Sequence, residues 1–340
     1  MDSEFQTIKD ILTSNTLPFY DNFFQLLNSA SECLDSEKTD YRPAASDGSL
    51  GSLIDFHKDE LPLIVIPDLH ARPYFLMNIL EYQIFDDMTV YEALGAGKVR
   101  LLSVGDILHT ERNTRERWAA AAAEFNAGIY TGPALSAEMQ EGLCLLAGLL
   151  KLKTTFPSYV HILKGNHENI LNATGNGDYA FRKFADEGEM GMVFVQDYYG
   201  DDILYLINCV EKSLPLVYFG KKCVVSHAEP FTDWTMEEIK DARIKEGIVE
   251  GLTWTDNGVA NPGSAAKIVK NLCDAAGEKE SAMDDYVYLG GHRPVTGNYK
   301  LLQNGRYIQI HNPGKQNIAF VQPDRKFNPD TDIKEVVKNE

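Results

Sequence analysis

The stretch that decides the fold runs from residue 160 to residue 169 and reads VHILKGNHEN. Its first four residues predict a short apolar strand, which breaks at Gly165 and is followed at once by Asn166, His167 and Glu168. An apolar strand that ends in a glycine turn commonly holds polar groups at the carboxyl edge of a sheet. Taken alone, the stretch is equally compatible with a polar surface loop, so the rest of the chain has to decide.

Four other apolar runs end in the same way, at residues 67, 104, 225 and 289. The polar side chains that follow them are Asp68 and His70, Asp106, His227, and His292. With Asn166 they form a mixed oxygen and nitrogen set that suits Mn, Fe, Zn or similar divalent ions. Six ligands are more than one tetrahedral zinc uses, so the set suits two ions that share a bridging carboxylate.

The order of these motifs carries a family resemblance. Asp-x-His, Gly-Asp, Gly-Asn-His-Glu, a lone His after a strand and a final Gly-His resemble the calcineurin-like metallophosphoesterases, over residues 61–323. Residues 165–168 are the most specific part. Residues 291–295, GHRPV, resemble a segment of bacterial members close to the serine/threonine protein phosphatases and the diadenosine tetraphosphate hydrolases. Residues 252–256, LTWTD, resemble a segment of the serine/threonine phosphatase branch.

The resemblance implies a division of the six ligands between two divalent ions. Asp106 is the bridging carboxylate, and Asp68 and His70 complete one ion with it. The other ion is held by Asp106 and by three further side chains, which are Asn166, His227 and His292.

The resemblance also implies a catalytic step. A hydroxide that bridges the two ions attacks phosphorus, and His167, next to a ligand yet free of metal, protonates the leaving oxygen. An imidazole that titrates near pH 6.5 suits this task.

The chain departs from the family pattern at several positions. Pro67 and Ala71 stand where family members have glycine, and both changes are expected to be tolerated. His109 and Thr110 stand where the phosphatases have an Asp that orients the catalytic histidine and an Arg that binds the substrate phosphate. His109 can still form a hydrogen bond with His167, but Thr110 cannot make a bidentate phosphate contact.

Three arginines flank the site segments and could replace the missing phosphate contact. They are Arg72, Arg112 and Arg293. Each one could equally be a surface arginine paired with the excess of acidic residues. We expect at least one of them to reach the substrate, together with His109, because a phosphoryl group favours a guanidinium partner. Three other histidines are given no ligand role, since His57 is expected on the surface before the first strand, His161 inside a strand and His311 beside a turn.

The composition is that of a globular protein without a nucleic-acid surface. The 340 residues are 44% hydrophobic and 24% charged, which is ordinary for a folded domain. The net charge of -18 argues against binding to nucleic acid or to an anionic membrane, because both need basic patches. An acidic protein that binds phosphate esters needs local positive charge, which two metal ions would supply.

The cysteines and the start of the chain indicate a cytoplasmic protein. The five cysteines are an odd number without a Cys-x-x-Cys motif, which favours reduced thiols over a disulfide framework. Residues 1–10, MDSEFQTIKD, lack the apolar segment of a signal peptide. No apolar run approaches the ~18 residues of a membrane span. The oligomeric state stays open.

The alternation of strands and helices favours an α/β fold, and the resemblance implies a two-sheet β-sandwich flanked by helices. Residues 1–60 are expected to form an N-terminal helical extension and loop packed on the core, and residues 61–323 the catalytic domain. Residues 324–340 are expected to form a charged, loosely held tail. The segment 169–221 is expected to be mostly helical, and the Asn-Gly pair at 304–305 predicts a hairpin.

Three functions are compatible with these residues. The first is a dimetal-dependent hydrolase of phosphate esters, similar to a phosphatase, whose substrate is a phosphorylated small molecule, a nucleotide or a phosphoprotein. The second is a dinucleoside polyphosphate hydrolase or phosphodiesterase with the same site. The third is a metal-binding protein with reduced catalysis, which the change at residues 109–110 motivates. The complete ligand set and the free His167 weigh against the third.

Overall fold

The computed structural model describes residues 2–111, 114–175 and 177–337. One of its two main sheets has five strands. From one edge to the other they are β13 (Ile333–Glu335), β12 (Asn317–Val321), β2 (Leu63–Ile66), β5 (Arg100–Ser103) and β6 (Val160–Ile162). β2, β5 and β6 are parallel, so their carboxyl ends meet at the same edge of the sheet.

The other main sheet has six strands. Across the sheet they are β1 (Leu53–Phe56), β7 (Val217–Gly220), β8 (Cys223–Ser226), β9 (Val287–Gly290), β11 (Tyr307–Gln309) and β10 (Lys300–Leu302). β8, β9 and β11 are parallel to one another. A separate hairpin consists of β3 (Gln83–Phe85) and β4 (Met88–Thr89).

Helices cover the outer faces of both sheets. Against the five-stranded sheet lie α1 (Ser3–Leu12), α2 (Tyr20–Asp35), α3 (Pro73–Glu81), α4 (Val90–Gly95), α5 (Thr114–Asn126), α6 (Pro133–Thr155), α7 (Glu187–Tyr199) and α8 (Asp201–Ser213). Against the six-stranded sheet lie α9 (Met236–Lys240), α10 (Ile248–Thr253), α11 (Ser264–Ala276) and α12 (Glu280–Met283). A short α13 (Pro329–Asp332) precedes β13.

The alternation of side chains along each strand explains the layers. In β2, Ile64 and Ile66 pack against the helices, whereas Leu63 and Val65 face the other sheet. All four are buried, which is why this strand reads as a continuous apolar run. The two sheets therefore share one apolar layer, and each has a second apolar layer under its helices. The predicted two-sheet α/β fold is confirmed.

Several details differ from the sequence predictions. Strand β1 lies within the predicted N-terminal extension, yet it pairs with β7 in the six-stranded sheet. Strand β13 lies in the predicted loose tail, yet it pairs with β12. The segment 169–221 contains α7 and α8 as expected, but it also contains β7. Both added strands lie at sheet edges and have only four and three residues, too few for a strand pattern to be recognised in the sequence. The domain boundaries themselves stay a prediction.

The hairpin around residues 304–305 is confirmed, because β10 and β11 pair antiparallel across it. None of the helices in the described ranges combines the length and the apolar surface needed to cross a bilayer.

Candidate metal centre

The carboxyl ends of parallel strands bring the six predicted ligands together. Each ligand follows its strand within a few residues, in the order β2, β5, β6, β8 and β9. The side chains are Asp68, His70, Asp106, Asn166, His227 and His292, and none is more than 9% exposed. Burial of so many polar groups at one sheet edge is costly unless they are paired with one another or with a bound ion.

The backbone at this edge is held in a conformation that side chains rarely adopt. His70, Asp106 and His292 have φ values of 41°, 53° and 67°, in the left-handed region. Such residues persist only where the surrounding structure holds them, and they cluster at functional sites. Ala71, where the resembled family has glycine, also has a positive φ of 50°. The alanine is accommodated, at the conformational cost that a glycine there would avoid.

Glu168 holds the two glycine turns of the site against each other. Its carboxylate accepts hydrogen bonds from the backbone N–H groups of Asp106, Ile107 and Gly165, at 2.9, 2.8 and 2.7 Å. A Cβ atom on Gly165 would lie 2.2 Å from Asp106 Oδ1, so the turn has no room for a side chain. Glu168 therefore positions the backbone of the site and is not available to orient His167.

Four acceptor atoms converge around His227. Its Nδ1 lies 3.0 Å from the carbonyl oxygen of Val104, and this contact assigns the ring hydrogen to Nδ1. The lone pair of Nε2 then faces Asn166 Oδ1 at 3.0 Å, His292 Nδ1 at 3.2 Å and Asp106 Oδ2 at 3.4 Å. Asn166 Oδ1, Asp106 Oδ2 and the lone pair of His227 Nε2 repel one another unless a proton on His292 Nδ1 or a cation lies between them.

A second group of atoms contains a histidine to which the sequence analysis assigned no role. His311 is buried, and its Nδ1 lies 3.1 Å from Asp68 Oδ2. Ligand atoms of Asp68, His70 and His311 lie within 4.8 Å of one another. Neither nitrogen of His311 has a hydrogen-bond partner among the described residues. The structure places His311 beside Asp68 and His70, whereas the sequence analysis gave it no ligand role because it took account only of the turn beside it.

The signal that could have found His311 is the same one that found the others. His311 follows β11 by two residues, and β11 runs parallel to β9, which precedes His292. The sequence indicated only the antiparallel partner of β11 across the hairpin. A strand that joins a hairpin to a parallel sheet cannot be recognised from the hairpin signal alone.

Asp106 lies between the two groups. Its Oδ2 is 3.4 Å from His227 Nε2 on one side and 3.8 Å from His70 Nε2 on the other. Burial raises the pKa of Asp68 to about 7, and the negative charge of Asp106 adds to this effect although His227 opposes it. The donor set thus fits two cations that share Asp106, because positive charge is what the converging groups lack.

His167 lies beside both groups. Its Nε2 is 3.6 Å from Asp106 Oδ2, and its Nδ1 is 3.3 Å from Nδ1 of His109. The ring of Phe181 covers it at 3.6 Å between centroids. Burial lowers the pKa of His167 well below its ordinary value, and His109 in its protonated form acts in the same direction. The expected contact between His109 and His167 is therefore present.

Glu111 lies near His70, one of the candidate ligands. Its Oε2 lies 3.9 Å from His70 Nε2, and its Oε1 forms an ion pair with Lys183. Candidate ligand atoms of Glu111, His70 and His167 also lie within 4.8 Å of one another. His70 cannot serve this group and the group of Asp68 at once, and the ion pair with Lys183 already balances the carboxylate of Glu111.

The three predicted arginines lie in different places. Arg72 is buried at the start of α3, two residues after His70. Burial lowers the pKa of that histidine, and the charge of Arg72 adds to this effect. Arg293 is exposed and forms an ion pair with Asp256. Arg112 lies outside the described residues.

Comparison with known proteins supports the fold. No protein-family model and no curated protein sequence matches the chain. A protein serine/threonine phosphatase from Saccharomyces cerevisiae, similar to human phosphatase PP5, has a similar structure. It is 16% identical, with a TM-score of 0.57, and the match covers 98% of this chain and 97% of the phosphatase. The two proteins share a fold over nearly their whole length.

Two structures of cold-active protein tyrosine phosphatases, one of them from a psychrophilic Shewanella species, match more weakly. Both are 13% identical, with TM-scores of 0.43 and 0.40. The matches cover 84% and 82% of this chain, and 78% and 80% of the phosphatases.

Proposed function

We propose that the chain is a phosphoesterase that uses two divalent ions, and that it belongs to the calcineurin-like metallophosphoesterases. The observation that carries the proposal is the convergence of oxygen and nitrogen atoms from separate strand ends. Asn166 Oδ1 and Asp106 Oδ2 lie 3.0 and 3.4 Å from His227 Nε2, and the buried Asp68 Oδ2 has no hydrogen-bond partner among the described residues. The motifs of the sequence and the fold shared with a phosphatase support the same function.

The proposal assigns ligands to each ion. Asp68, His70 and His311 would hold one ion together with Asp106. Asp106 would also contribute to the other ion, with Asn166, His227 and His292. Two bound ions would act as Lewis acids and lower the pKa of water, and Mn²⁺, Fe²⁺ and Zn²⁺ all suit this donor set.

The chain's own residues would supply a proton for the leaving group and a positive charge that binds the phosphoryl group. In hydrolysis the oxygen of water forms a bond to phosphorus while the bond from phosphorus to the ester oxygen breaks. His167 would donate its proton to that leaving oxygen, with its Nδ1 oriented by His109 at 3.3 Å. Arg72, buried two residues after His70, would be the arginine that binds the phosphoryl group. The five free cysteines support a reducing compartment such as the cytoplasm.

The decisive experiment is a metal-reconstituted activity screen. Protein stripped with chelator and reloaded with Mn²⁺, Fe²⁺ or Zn²⁺ is tested on p-nitrophenyl phosphate, its bis-ester and phosphopeptides. We expect activity that disappears on stripping and returns on reloading. Full turnover by a sample that elemental analysis shows to be free of metal would contradict the proposal.

Metal content gives a second readout that is independent of activity. Asp106→Asn should lower the content of both ions, whereas His70→Ala should lower mainly one. His57→Gln is the matched control, because His57 pairs with Asp55 away from the centre. Two fully occupied ions in Asp106→Asn would show that Asp106 is not the bridge.

A further inference from the structure

The segment before α7 places an aromatic ring against His167 and against its neighbour His109. The ring of Phe181 lies 3.6 Å from the ring of His167 and 5.4 Å from the ring of His109, measured between centroids. Its plane is tilted by 35° from the plane of His167 and by only 19° from that of His109. Phe181 therefore packs on the faces of both imidazoles, which approach each other through their Nδ1 atoms.

The contact between the two histidines is too weak to fix the orientation of His167 by itself. Their Nδ1 atoms are 3.3 Å apart, longer than the ~2.7–2.9 Å that a charged nitrogen donor and a carboxylate reach. A single contact of this kind also leaves the imidazole free to turn about the line that joins the two nitrogens. A flat ring packed on its face removes that freedom, because a turn of the imidazole would drive it into Phe181.

The backbone that carries Phe181 is itself held by a buried carboxylate. Glu187, at the start of α7, is fully buried and accepts hydrogen bonds from the N–H groups of Lys183 and Phe184, at 2.8 and 2.6 Å. The N–H of Gly188 donates to the carbonyl oxygen of Phe181 at 3.0 Å. A buried carboxylate costs free energy unless hydrogen bonds satisfy it, so these bonds hold the turn in one conformation.

The turn is also joined to the other side of the metal centre. Lys183 forms an ion pair with Glu111, whose other carboxylate oxygen lies 3.9 Å from His70 Nε2. Glu187 holds this turn through backbone N–H groups, as Glu168 holds the turn of the ligands. The turn that bears the proposed general acid and the turn that packs on it are therefore each fixed by a buried glutamate.

We propose that Phe181 is a positioning residue for the proton transfer, because it holds the ring of His167 with Nε2 toward the metal centre. This nitrogen lies 3.6 Å from Asp106 Oδ2, so it faces the place where the leaving oxygen would depart. His109 cannot supply the charge of the aspartate that the phosphatases have at its position, and the packing of Phe181 takes over the orienting task. This inference rests on the proposed phosphoesterase function and deepens it.

The test is a double-mutant cycle on two esters of similar shape, phenyl phosphate and p-nitrophenyl phosphate. Phe181→Ala should lower kcat on phenyl phosphate, which has the poorer leaving group, by about 10- to 100-fold, the effect expected of a misplaced catalytic group. The loss on p-nitrophenyl phosphate should be smaller, and KM and metal content should change little. Added to His167→Asn, the same substitution should cause no further loss, because a residue that acts only through His167 then has nothing to position.

Phe56→Ala is the matched control. Phe56 is also half-buried and packs on a histidine that is not a candidate ligand, His161, at 5.3 Å between centroids. This variant should leave kcat unchanged on both esters. Phe181→Leu keeps the apolar bulk without the flat face, and it should lower kcat in the same direction even if the alanine variant is unstable. A loss that is equal on the two esters, or that adds fully to the loss in His167→Asn, would overturn the inference.

Crystal structures separate this inference from the function on which it rests. In the zinc-loaded unsubstituted protein the Nδ1 atoms of His167 and His109 should stay in contact. In zinc-loaded Phe181→Ala the ring of His167 should rotate and lose this contact. An unmoved ring would overturn the positioning role whatever the rates are. A rotated ring, in a protein whose unsubstituted form turns over no ester, would support the positioning role and count against the phosphoesterase function alone.

Discussion

Two clusters of buried ionisable side chains lie along strand β6. They differ in whether the cluster contains lysine or arginine side chains that pair with its buried carboxylates. One is the metal centre at the end of the strand. The other, which we call the Glu37 cluster, consists of Glu37, Arg42, Lys153 and His161, all at most 6% exposed. Glu37 accepts from Arg42 and from Lys153, each at 2.6 Å, and Lys153 also donates to the carbonyl of Pro157 at 2.9 Å.

The pKa values of Glu37 and Asp68 move in opposite directions because, among the described residues, lysine and arginine side chains pair with Glu37 and not with Asp68. Burial alone would raise the pKa of Glu37, but the neighbouring His161 and the charges of Lys153 and Arg42 hold it well below its usual range. Burial raises the pKa of Asp68 to about 7, because no such cations surround it. A buried cluster that carries its own cations is structural, and one that lacks them is prepared to receive them.

The largest expected effect lies at the metal centre. His167→Asn should lower kcat by about 10²–10⁴-fold on esters with poor leaving groups, which is typical for the loss of a general acid. Good leaving groups such as p-nitrophenolate should be affected less, and metal content should be unchanged. The control is His161→Gln, which removes a buried histidine from the Glu37 cluster and should leave kcat intact. Equal losses on both kinds of ester would assign His167 to substrate binding instead.

Most of the metal centre could be predicted from the sequence because of one physical regularity. Parallel strands end at one edge, so polar residues placed directly after apolar runs are brought together whatever the helices do. This regularity predicted the placement of six side chains, while their role as ligands stays a proposal. The contacts of Glu168 with the backbone N–H groups of Asp106 and Ile107 and the position of Phe181 depend on how distant segments pack. No local pattern encodes them.

The second largest effect is a loss of stability in the Glu37 cluster. Lys153→Met removes one of the two cations paired with the buried carboxylate of Glu37, and breaking a buried pair costs about 3–5 kcal/mol. We expect this loss in the free energy of unfolding from urea titration, with unchanged metal content. Lys270→Met is the control, because Lys270 pairs with Asp274 on an exposed helix face and such pairs contribute about 0.3–0.5 kcal/mol. A metal content that falls in Lys153→Met would mean that the two clusters are coupled.

The third prediction uses pH to isolate His161. Burial, with the charge of Lys153, lowers the pKa of His161 to about 4 from its ordinary 6.5. The unfolded chain then binds the proton more readily, so the stabilising contribution is complete above pH 6.5 and is lost as the pH falls toward 4. The loss amounts to ~3 kcal/mol. The free energies of unfolding of the unsubstituted protein and of His161→Gln, plotted against pH, should converge as the pH falls from 6.5 to 4. The other histidines contribute equally to both proteins. Parallel curves would contradict the assignment.

The smallest expected effect concerns His109, where a substitution can place opposite charges side by side, as they are in the Glu37 cluster. His109 is neutral there, since burial lowers its pKa to about 4, and it lies 3.3 Å from His167. An aspartate in its place would add the kind of charge that favours a protonated neighbour. The backbone of His109 has a φ of 64°, which Asp and Asn tolerate better than most residues, so His109→Asp and His109→Asn should both fold.

The carboxylate of His109→Asp favours the imidazolium form of His167 and raises its pKa, by about one unit for a close opposite charge. An acid works only while it is protonated, so activity that falls as the pH rises through this pKa should persist to higher pH. The basic limb of kcat/KM against pH should therefore move up in His109→Asp. It should not move in His109→Asn, which has the same size and no charge. If both variants shift the limb equally, the loss of the imidazole at position 109 controls His167, and the added charge does not.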